Sequence, residues 1–281
     1  MPELDWNKKL WDGDYDWSQQ GEEWSSNWGG SESQWYWTLL PRIRKYLDSD
    51  TTLEIAPGFG RWSQYLLKHS KKLILVDLSS QCIEACKRRF SGNDNIDYHV
   101  NDGKSLSMIE DESLDLVFSF DSLVHCEADI LDNYLNALKN KIKKDGVIIL
   151  HHSNLGQYYY FTILRKLEQL LSPSPSVSST NQTPGATSLL SKTLLALRIT
   201  DRTHMRALSV SASILKSLAE KHGLVCVSQE IFPWGHSRRS IDCISVLTTS
   251  GSKWAATTPL VNNKSFMKHA RSIKELSAIY R

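Results

Sequence analysis

A strand, a glycine turn, a helix and a second strand ending in an acid follow one another between residues 52 and 77. The stretch begins Thr52-Leu-Glu-Ile-Ala-Pro-Gly-Phe-Gly and ends Lys72-Leu-Ile-Leu-Val-Asp77. Gly58 and Gly60 allow a tight turn at the end of a strand and a close approach of the backbone to a ligand. Asp77 can accept hydrogen bonds from a ribose with a free 2′-hydroxyl. This order predicts a nucleotide-binding βαβ unit.

The details of the turn distinguish between nucleotide ligands. A dinucleotide site has a third glycine for close packing and places a pyrophosphate on the helix N-terminus, whereas this chain has Ser63 at that position. The carboxylate of Glu54 would repel a pyrophosphate, but it suits a ligand that carries a cationic amino group. An NAD-linked oxidoreductase is therefore the weaker alternative. S-Adenosylmethionine, which has an ammonium, a sulfonium and a free ribose, fits better.

On these residues the chain resembles class I S-adenosylmethionine-dependent methyltransferases. The family motif Glu/Asp-x-Gly-x-Gly-x-Gly matches Glu54, Gly58 and Gly60, with Ala56 in place of the first glycine. The resemblance implies S-adenosylmethionine as cofactor, and it implies that Asp102 takes the adenine amino group. The cofactor-binding residues implied in this way are Glu54, Ala56, Pro57, Gly58, Gly60, Asp77, Leu78, Asn101, Asp102, Gly103 and Phe120.

Composition excludes several other classes. The 33 basic and 31 acidic residues give a net charge of +2, so nothing argues for a nucleic-acid partner. Five cysteines without a CxxC pair predict reduced thiols and a cytoplasmic protein. No apolar run is long enough for a membrane span, and the start Met-Pro-Glu-Leu-Asp is unlike a signal peptide.

The chain divides into five predicted parts. Seven of the ten tryptophans fall in residues 6–37, so residues 1–50 predict a Trp-rich N-terminal cap that ends in a helix at 32–47. Residues 51–155 alternate apolar strands and amphipathic helices, which predicts an S-adenosylmethionine-binding core. The strands are expected near 52–56, 73–77, 96–100, 114–120 and 146–151, and the helices near 61–69, 80–90 and 129–142.

The remaining parts complete the predicted fold. Residues 156–210, with an aromatic start at 158–161 and a Ser/Pro tract at 172–184, predict a helical lid insertion. Residues 211–250 return to the core with a helix at 211–222, a strand at 224–231 and an edge strand at 241–249. Residues 251–281 predict an amphipathic helix that packs on the domain or on a second subunit of a homo-oligomer, through Phe266, Ala270, Ile273, Leu276 and Tyr280. The expected fold is α/β: a Rossmann-like, seven-stranded, mostly parallel sheet with helices on both faces.

Candidate catalytic residues follow the fourth and fifth strands. Methyl transfer to an alcohol requires removal of the hydroxyl proton, and a histidine suits that at neutral pH. We predict His125 as general base, with His151 or His152 as alternatives and Asp121 as the residue that orients the base or the donor. A structural role for each histidine is the competing interpretation. No acid pair has diagnostic metal-binding spacing, so we assign no metal ligands, although Asp102, Asp121 and His152 leave a Mg²⁺ site open.

Aromatic residues are the candidates for acceptor binding. We predict that Trp17, Trp28 and Tyr158 contact the acceptor, since flat rings suit the apolar faces of sugars. The competing interpretation is that the tryptophans only pack the cap.

Further segments of the chain include Pro41-Arg-Ile43, Phe118-Ser-Phe-Asp-Ser-Leu-Val-His125 and His151-His-Ser-Asn154. In these segments the chain resembles class I methyltransferases found with bacterial cell-surface polysaccharide synthesis. This resemblance implies O-methylation of a sugar hydroxyl in a surface glycan or its precursor. A methyltransferase of a small secondary metabolite is the alternative. A non-catalytic donor-binding partner in glycan assembly is an alternative of another class, which the glycine turn and the three histidines disfavour.

Overall fold

The computed structural model describes residues 4–158, 160, 163 and 205–279. One sheet of eight strands runs through these residues, with bounds β1 Ser49–Ile55, β2 Ser70–Asp77, β3 Ile96–Val100, β4 Leu114–Ser119, β5 Ile142–Ser153, β6 Leu224–Phe232, β7 Asp242–Thr249 and β8 Val261–Asn262. The strand order is β3-β2-β1-β4-β5-β7-β6-β8. Strand β7 is antiparallel to β5 and to β6, and all the other pairings are parallel. The predicted mostly parallel α/β sheet is confirmed.

Two details of the sheet correct the sequence prediction. The sheet has eight strands in the described residues instead of seven, because the two-residue strand β8 pairs with β6 and is too short to leave a pattern. The prediction of an edge strand at 241–249 was wrong, since β7 lies between β5 and β6. Its residues are buried almost throughout, as expected for a strand with neighbours on both sides.

Helices cover both faces of the sheet. The α-helices of the described residues are α1 Leu4–Lys9, α2 Ser31–Gln34, α3 Leu40–Ile43, α4 Ser63–Leu66, α5 Ser80–Arg89, α6 Ala128–Lys141, α7 Ala212–Lys221 and α8 Phe266–Ile279. Residues of α6 and α7 join one apolar core, and residues of α5, α8 and the cap join the other. None of the helices in the described ranges is long and apolar enough to cross a membrane.

The N-terminal cap is irregular and packs on α8. The 3₁₀ segment Glu22–Trp28 and helix α2 both contact α8. The hydroxyl of Ser33 in α2 lies 2.7 Å from that of Ser277 in α8. The predicted helix at 32–47 is present as consecutive α, π and 3₁₀ turns from Ser31 to Tyr46. Helix α8 therefore packs on its own chain, and a homo-oligomer stays a prediction. Tyr280 and the lid predicted at 156–210, apart from 156–158, 160, 163 and 205–210, lie outside the described residues.

Candidate active site

A pocket lies at the carboxyl ends of β1, β2 and β4. Ligands bind at this edge in open parallel sheets. Three groups of residues line the pocket: the turn after β1 and the loops after β2 and β3, the cap, and the segment after β4. They include Ala56, Pro57, Gly58, Asp77, Leu78 and Gly103 from the first group, Leu4, Asn7, Trp11, Trp17 and Trp24 from the cap, and Phe120, Asp121 and Ser122 from the third.

The glycine turn after β1 has the left-handed backbone that its sequence predicts. Gly60 has φ +82°, and a Cβ there would lie 2.6 Å from the ring of Phe90, so any other residue would be strained and would displace that ring. Ala56, which replaces a glycine of the family motif, has φ +56° although it carries a Cβ. Its amide donates to the carbonyl of Val76 at 2.8 Å. The turn is therefore held in a strained form at Ala56.

Glu54 does not face the pocket. Its side chain is buried and accepts a hydrogen bond from the hydroxyl of Ser63 at 2.5 Å. Burial raises the pKa of Glu54 to about 8, and the hydrogen bond from Ser63 acts against that rise. The predicted contact between Glu54 and the donor is thus not seen, because the carboxyl group joins β1 to the start of α4.

Asp77, which the sequence predicts to bind a ribose, lines the pocket. Its carboxylate accepts the amide hydrogens of Gly58 at 3.1 Å and of Ser79 at 2.9 Å, and burial raises its pKa to about 6. The cap is anchored beside it, since Asp12 accepts hydrogen bonds from the hydroxyl of Ser79 at 2.8 Å and from the amide of Gln81 at 3.2 Å. The amides of Ser79 and Gln81 belong to the start of α5, where a carboxylate is favourable.

The loop after β3 lines the pocket with Gly103 and not with the acidic Asp102. Gly103 lines the pocket beside Leu4 of the cap. Asn101 accepts the amide hydrogen of Gly103 and donates to the hydroxyl of Tyr134 at 3.2 Å. Asp102 is exposed, and its carboxylate accepts the amides of the two residues at 104 and 105. The predicted adenine contact of Asp102 is therefore not supported, because the side chain closes its own turn.

Among the three residues predicted to bind the acceptor, the structure brings Trp17 alone to the pocket. Trp28 is fully buried, donates its indole N–H to the hydroxyl of Thr38 at 2.8 Å and packs on Phe266. The prediction for Trp28 was wrong, since it is a core residue. Tyr158 lies outside the pocket lining, with its ring near the guanidinium of Arg239.

The three candidate histidines have different surroundings. His151 accepts the amide hydrogen of Asp121 at Nδ1, 3.0 Å away, and its Nε2 lies 3.1 Å from a carboxylate oxygen of Asp242. Both ring nitrogens of His152, on the opposite face, are also engaged, by the carbonyl of Ser153 and the hydroxyl of Ser245. Neither ring has a nitrogen left over for a substrate proton.

His125 keeps one nitrogen uncommitted. Its Nδ1 lies 3.1 Å from the carbonyl of Met205, so Nδ1 carries the hydrogen and Nε2 has the lone pair. In the described part of the chain Nε2 has no hydrogen-bond partner. Burial, reinforced by the positive charge of Arg206, lowers the pKa of His125 to about 4. The ring packs on Trp11, with centroids 5.5 Å apart. Trp11 lines the pocket and His125 does not.

Two arginines that the sequence reasoning missed surround Asp121. Arg61 donates to the carboxylate of Asp121 at 2.9 Å and to the hydroxyl of Ser25 at 3.0 Å, and it lies over the rings of Trp24 and Trp62. Arg206 approaches Asp121 to 3.8 Å. The position of Arg61 directly after Gly60 could have indicated a role at the site. No sequence pattern indicated such a role for Arg206, because it lies at the end of a segment predicted to be a lid.

The possible Mg²⁺ ligands are not brought together. Asp102 is exposed in its turn, Asp121 is paired with Arg61, and His152 is buried against Ser245. The described residues include no cluster of three or more histidine, cysteine or acidic side chains placed to hold a metal ion.

The part of the chain that contains the glycine turn and Asp77 matches a known protein family. Residues 52–146 match the family described as "Methyltransferase domain". This match and the fold support a class I S-adenosylmethionine-dependent methyltransferase, with S-adenosylmethionine as its cofactor. A search of curated proteins found no match.

Three solved structures illustrate the similarity of fold. A protein from Pyrococcus horikoshii OT3 is 21% identical, with 78% of this chain and 90% of that chain covered and a TM-score of 0.51. An S-adenosylmethionine-dependent methyltransferase from Methanosarcina mazei is 16% identical, with 74% and 97% covered and a TM-score of 0.50. The N-methyltransferase NodS from Bradyrhizobium japonicum WM9 is 13% identical, with 78% and 96% covered and a TM-score of 0.50. At these identities the similarity concerns the fold alone.

Proposed function

We propose that this protein is an O-methyltransferase that transfers the methyl group of S-adenosylmethionine to a hydroxyl of a sugar, in a surface glycan or its precursor. The observation that carries the proposal is the pocket itself, which is lined both by residues at the carboxyl ends of the strands and by indole rings of the cap. The donor would lie along the glycine turn, with its ribose hydroxyls on Asp77 and its adenine toward Gly103.

The acceptor side is aromatic with few polar groups. Trp11, Trp17 and Trp24 line it from the cap, and Asp121 lines it from the end of β4. Indole rings offer flat apolar surfaces to the C–H faces of a sugar ring, and a carboxylate can accept a hydrogen bond from one of its hydroxyls. A buried site of this kind also excludes water, which would otherwise compete for the methyl group.

In the proposed reaction the acceptor oxygen attacks the methyl carbon as the carbon–sulfur bond breaks. The hydroxyl proton passes to Nε2 of His125, and S-adenosylhomocysteine leaves. Asp121 orients the hydroxyl. Because His125 packs on Trp11 and does not itself line the pocket, binding of the acceptor has to bring Nε2 of His125 to the pocket before the proton can be transferred.

The test is transfer of labelled methyl from S-adenosylmethionine to a panel of acceptors. The panel holds nucleotide-linked and lipid-linked sugars, small phenols and primary amines. Transfer to a sugar that is lost when the target hydroxyl is replaced by hydrogen would support the proposal. Transfer to phenols alone would favour a small-metabolite methyltransferase, and transfer to amines alone would overturn O-methylation.

A further inference from the structure

We propose that Arg206 is a positioning residue for methyl transfer, and that it acts through a closed ring of contacts with Asp242 and His151 that fixes Asp121 in the pocket. This inference rests on the proposed function, because it concerns the geometry of the same site. Arg206 is far from the glycine turn in sequence, near the start of the described residues 205–279.

The ring can be followed from contact to contact. Arg206 holds Asp242 through two parallel hydrogen bonds, of 2.9 Å from Nε and 2.8 Å from a terminal nitrogen. One carboxylate oxygen of Asp242 also lies 3.1 Å from Nε2 of His151. Nδ1 of His151 accepts the amide hydrogen of Asp121, and the guanidinium of Arg206 returns to the carboxylate of Asp121 at 3.8 Å. Asp121 is thus held at both its backbone and its side chain.

The hydrogen positions in the ring follow from the partners. Because the amide of Asp121 can only donate, Nδ1 of His151 has to be an acceptor, and the proton of the neutral ring lies on Nε2. That proton is donated to Asp242. Burial alone would raise the pKa of Asp242, but the charge and hydrogen bonds of Arg206, with the hydrogen bond of His151, lower it below its usual value. The carboxylate is therefore ionised and is the acceptor that this tautomer requires.

Asp121 needs such support. It has φ +66°, a left-handed conformation that is unfavourable for a residue with a Cβ. Residues held in this way persist only where the surroundings determine them, and such residues are concentrated at active sites. Arg206 and Asp242 are buried, with side chains 4% and 0% exposed, so the ring is not a mobile surface pair.

The same short segment also fixes the proposed base. The carbonyl of Met205 accepts from Nδ1 of His125, which leaves the lone pair on Nε2. Consecutive residues 205 and 206 therefore place both groups that would act on the acceptor hydroxyl. A misplacement of about 1 Å in such a site can cost about 100-fold in rate.

The experiment compares Arg206→Ala with Arg42→Ala. Arg42 makes an equivalent two-bond pair with Glu230, at 2.7 and 2.8 Å, but it lies outside the pocket lining. We expect Arg206→Ala to bind S-adenosylhomocysteine with at most about threefold loss and to lose about 100-fold in kcat. Millimolar guanidinium should raise the kcat of Arg206→Ala at least tenfold, because it can occupy the space that the arginine side chain leaves. Arg42→Ala should lose stability only, with no change in kcat.

Two results with Arg206→Ala would overturn the proposal. One is an unchanged kcat in a folded Arg206→Ala protein. The other is a loss of kcat that guanidinium does not restore. If Arg206→Ala does not fold, Arg206→Lys replaces it, since lysine keeps the charge but cannot make both bonds to Asp242. We expect its kcat to fall while its melting temperature stays near that of the wild type, and an unchanged kcat would contradict the proposal.

A spectroscopic measurement separates this inference from the proposed function. Nitrogen-15 spectra of the ligand-free protein should show His151 with its proton on Nε2, a signature that changes in Arg206→Ala and returns with guanidinium. If no acceptor is methylated by the wild type, the proposed function fails while the ring is still tested. A His151 spectrum that is the same with and without Arg206 would refute the ring.

Discussion

The indole of Trp17 lies flat on the ring of Phe59, with centroids 4.4 Å apart and an angle of 4° between the planes. Trp17 belongs to the cap, and Phe59 stands between the two glycines of the turn after β1. A Cβ on Gly58 would lie 3.0 Å from the same indole. The cap thus packs directly on the turn that we propose the donor contacts, and we infer that release of S-adenosylhomocysteine requires this stack to open.

Loss of the Trp17 ring should speed product release. An aromatic pair contributes about 0.5–1.5 kcal/mol beyond the area that it buries, so we expect Trp17→Ala to raise the dissociation rate of S-adenosylhomocysteine about tenfold. Stopped-flow fluorescence would measure it. Trp37→Ala is the control, since that side chain is 69% exposed. Equal dissociation rates in Trp17→Ala and the wild type would show that the cap does not gate release.

Replacement of Ala56 by glycine should stabilise the protein. A left-handed residue with a Cβ costs about 1–2 kcal/mol, and glycine removes that cost while it loses more backbone entropy on folding. We expect Ala56→Gly to raise the free energy of unfolding by about 0.5–1 kcal/mol in urea denaturation. Ala85→Gly within α5 should instead lower it by about 1 kcal/mol. A similar loss in both variants would mean that Ala56 is not strained.

Glu54 should make the ligand-free protein less stable as the pH rises. Its folded pKa of about 8 lies above its ordinary value of 4.5, so the folded state holds a proton that the unfolded state has released. Between pH 7 and 8 this difference in bound protons should lower the free energy of unfolding by about 1 kcal/mol. Asp77, whose pKa is raised to about 6, and His125 and His152, whose pKa values are lowered to about 4 by burial, affect the slope mainly below pH 7. Glu54→Gln should remove most of this fall in denaturation series, and an unchanged slope would assign it to other groups.

Replacement of His125 should lower turnover, whereas replacement of His152 should lower stability. His125→Ala should lower turnover by about 10²–10⁴ while affinity for S-adenosylhomocysteine stays near that of the wild type. His152→Ala should lower the melting temperature, because two hydrogen bonds are lost in the core. The acid limb of kcat/KM should lie near pH 4 rather than 6.5, since His125 stays neutral down to its lowered pKa. Retained turnover in His125→Ala would exclude it as the base.

The sequence predicted the sheet better than the site, for a physical reason. Alternation and apolar runs report burial, so β3 was predicted with its observed bounds, 96–100. The direction of a strand-end side chain depends on its local partners. Asp77 ends β2 and Asp102 follows β3, yet one accepts amides at the pocket and the other closes an exposed turn. The Arg206–Asp242 pair joins residues 36 positions apart, and no local pattern marks such a pair.

Calorimetric titration with S-adenosylhomocysteine is the most direct test that this pocket is a methyl-donor site. The wild type should bind it and should not bind NAD. Asp77→Ala should weaken binding by about 1.5–3 kcal/mol, because hydrogen bonds to a charged group are lost. Asp102→Ala should bind as the wild type does, since that carboxylate is outside the pocket. Undiminished affinity in a folded Asp77→Ala protein, or binding of NAD in preference to S-adenosylhomocysteine, would contradict the assignment.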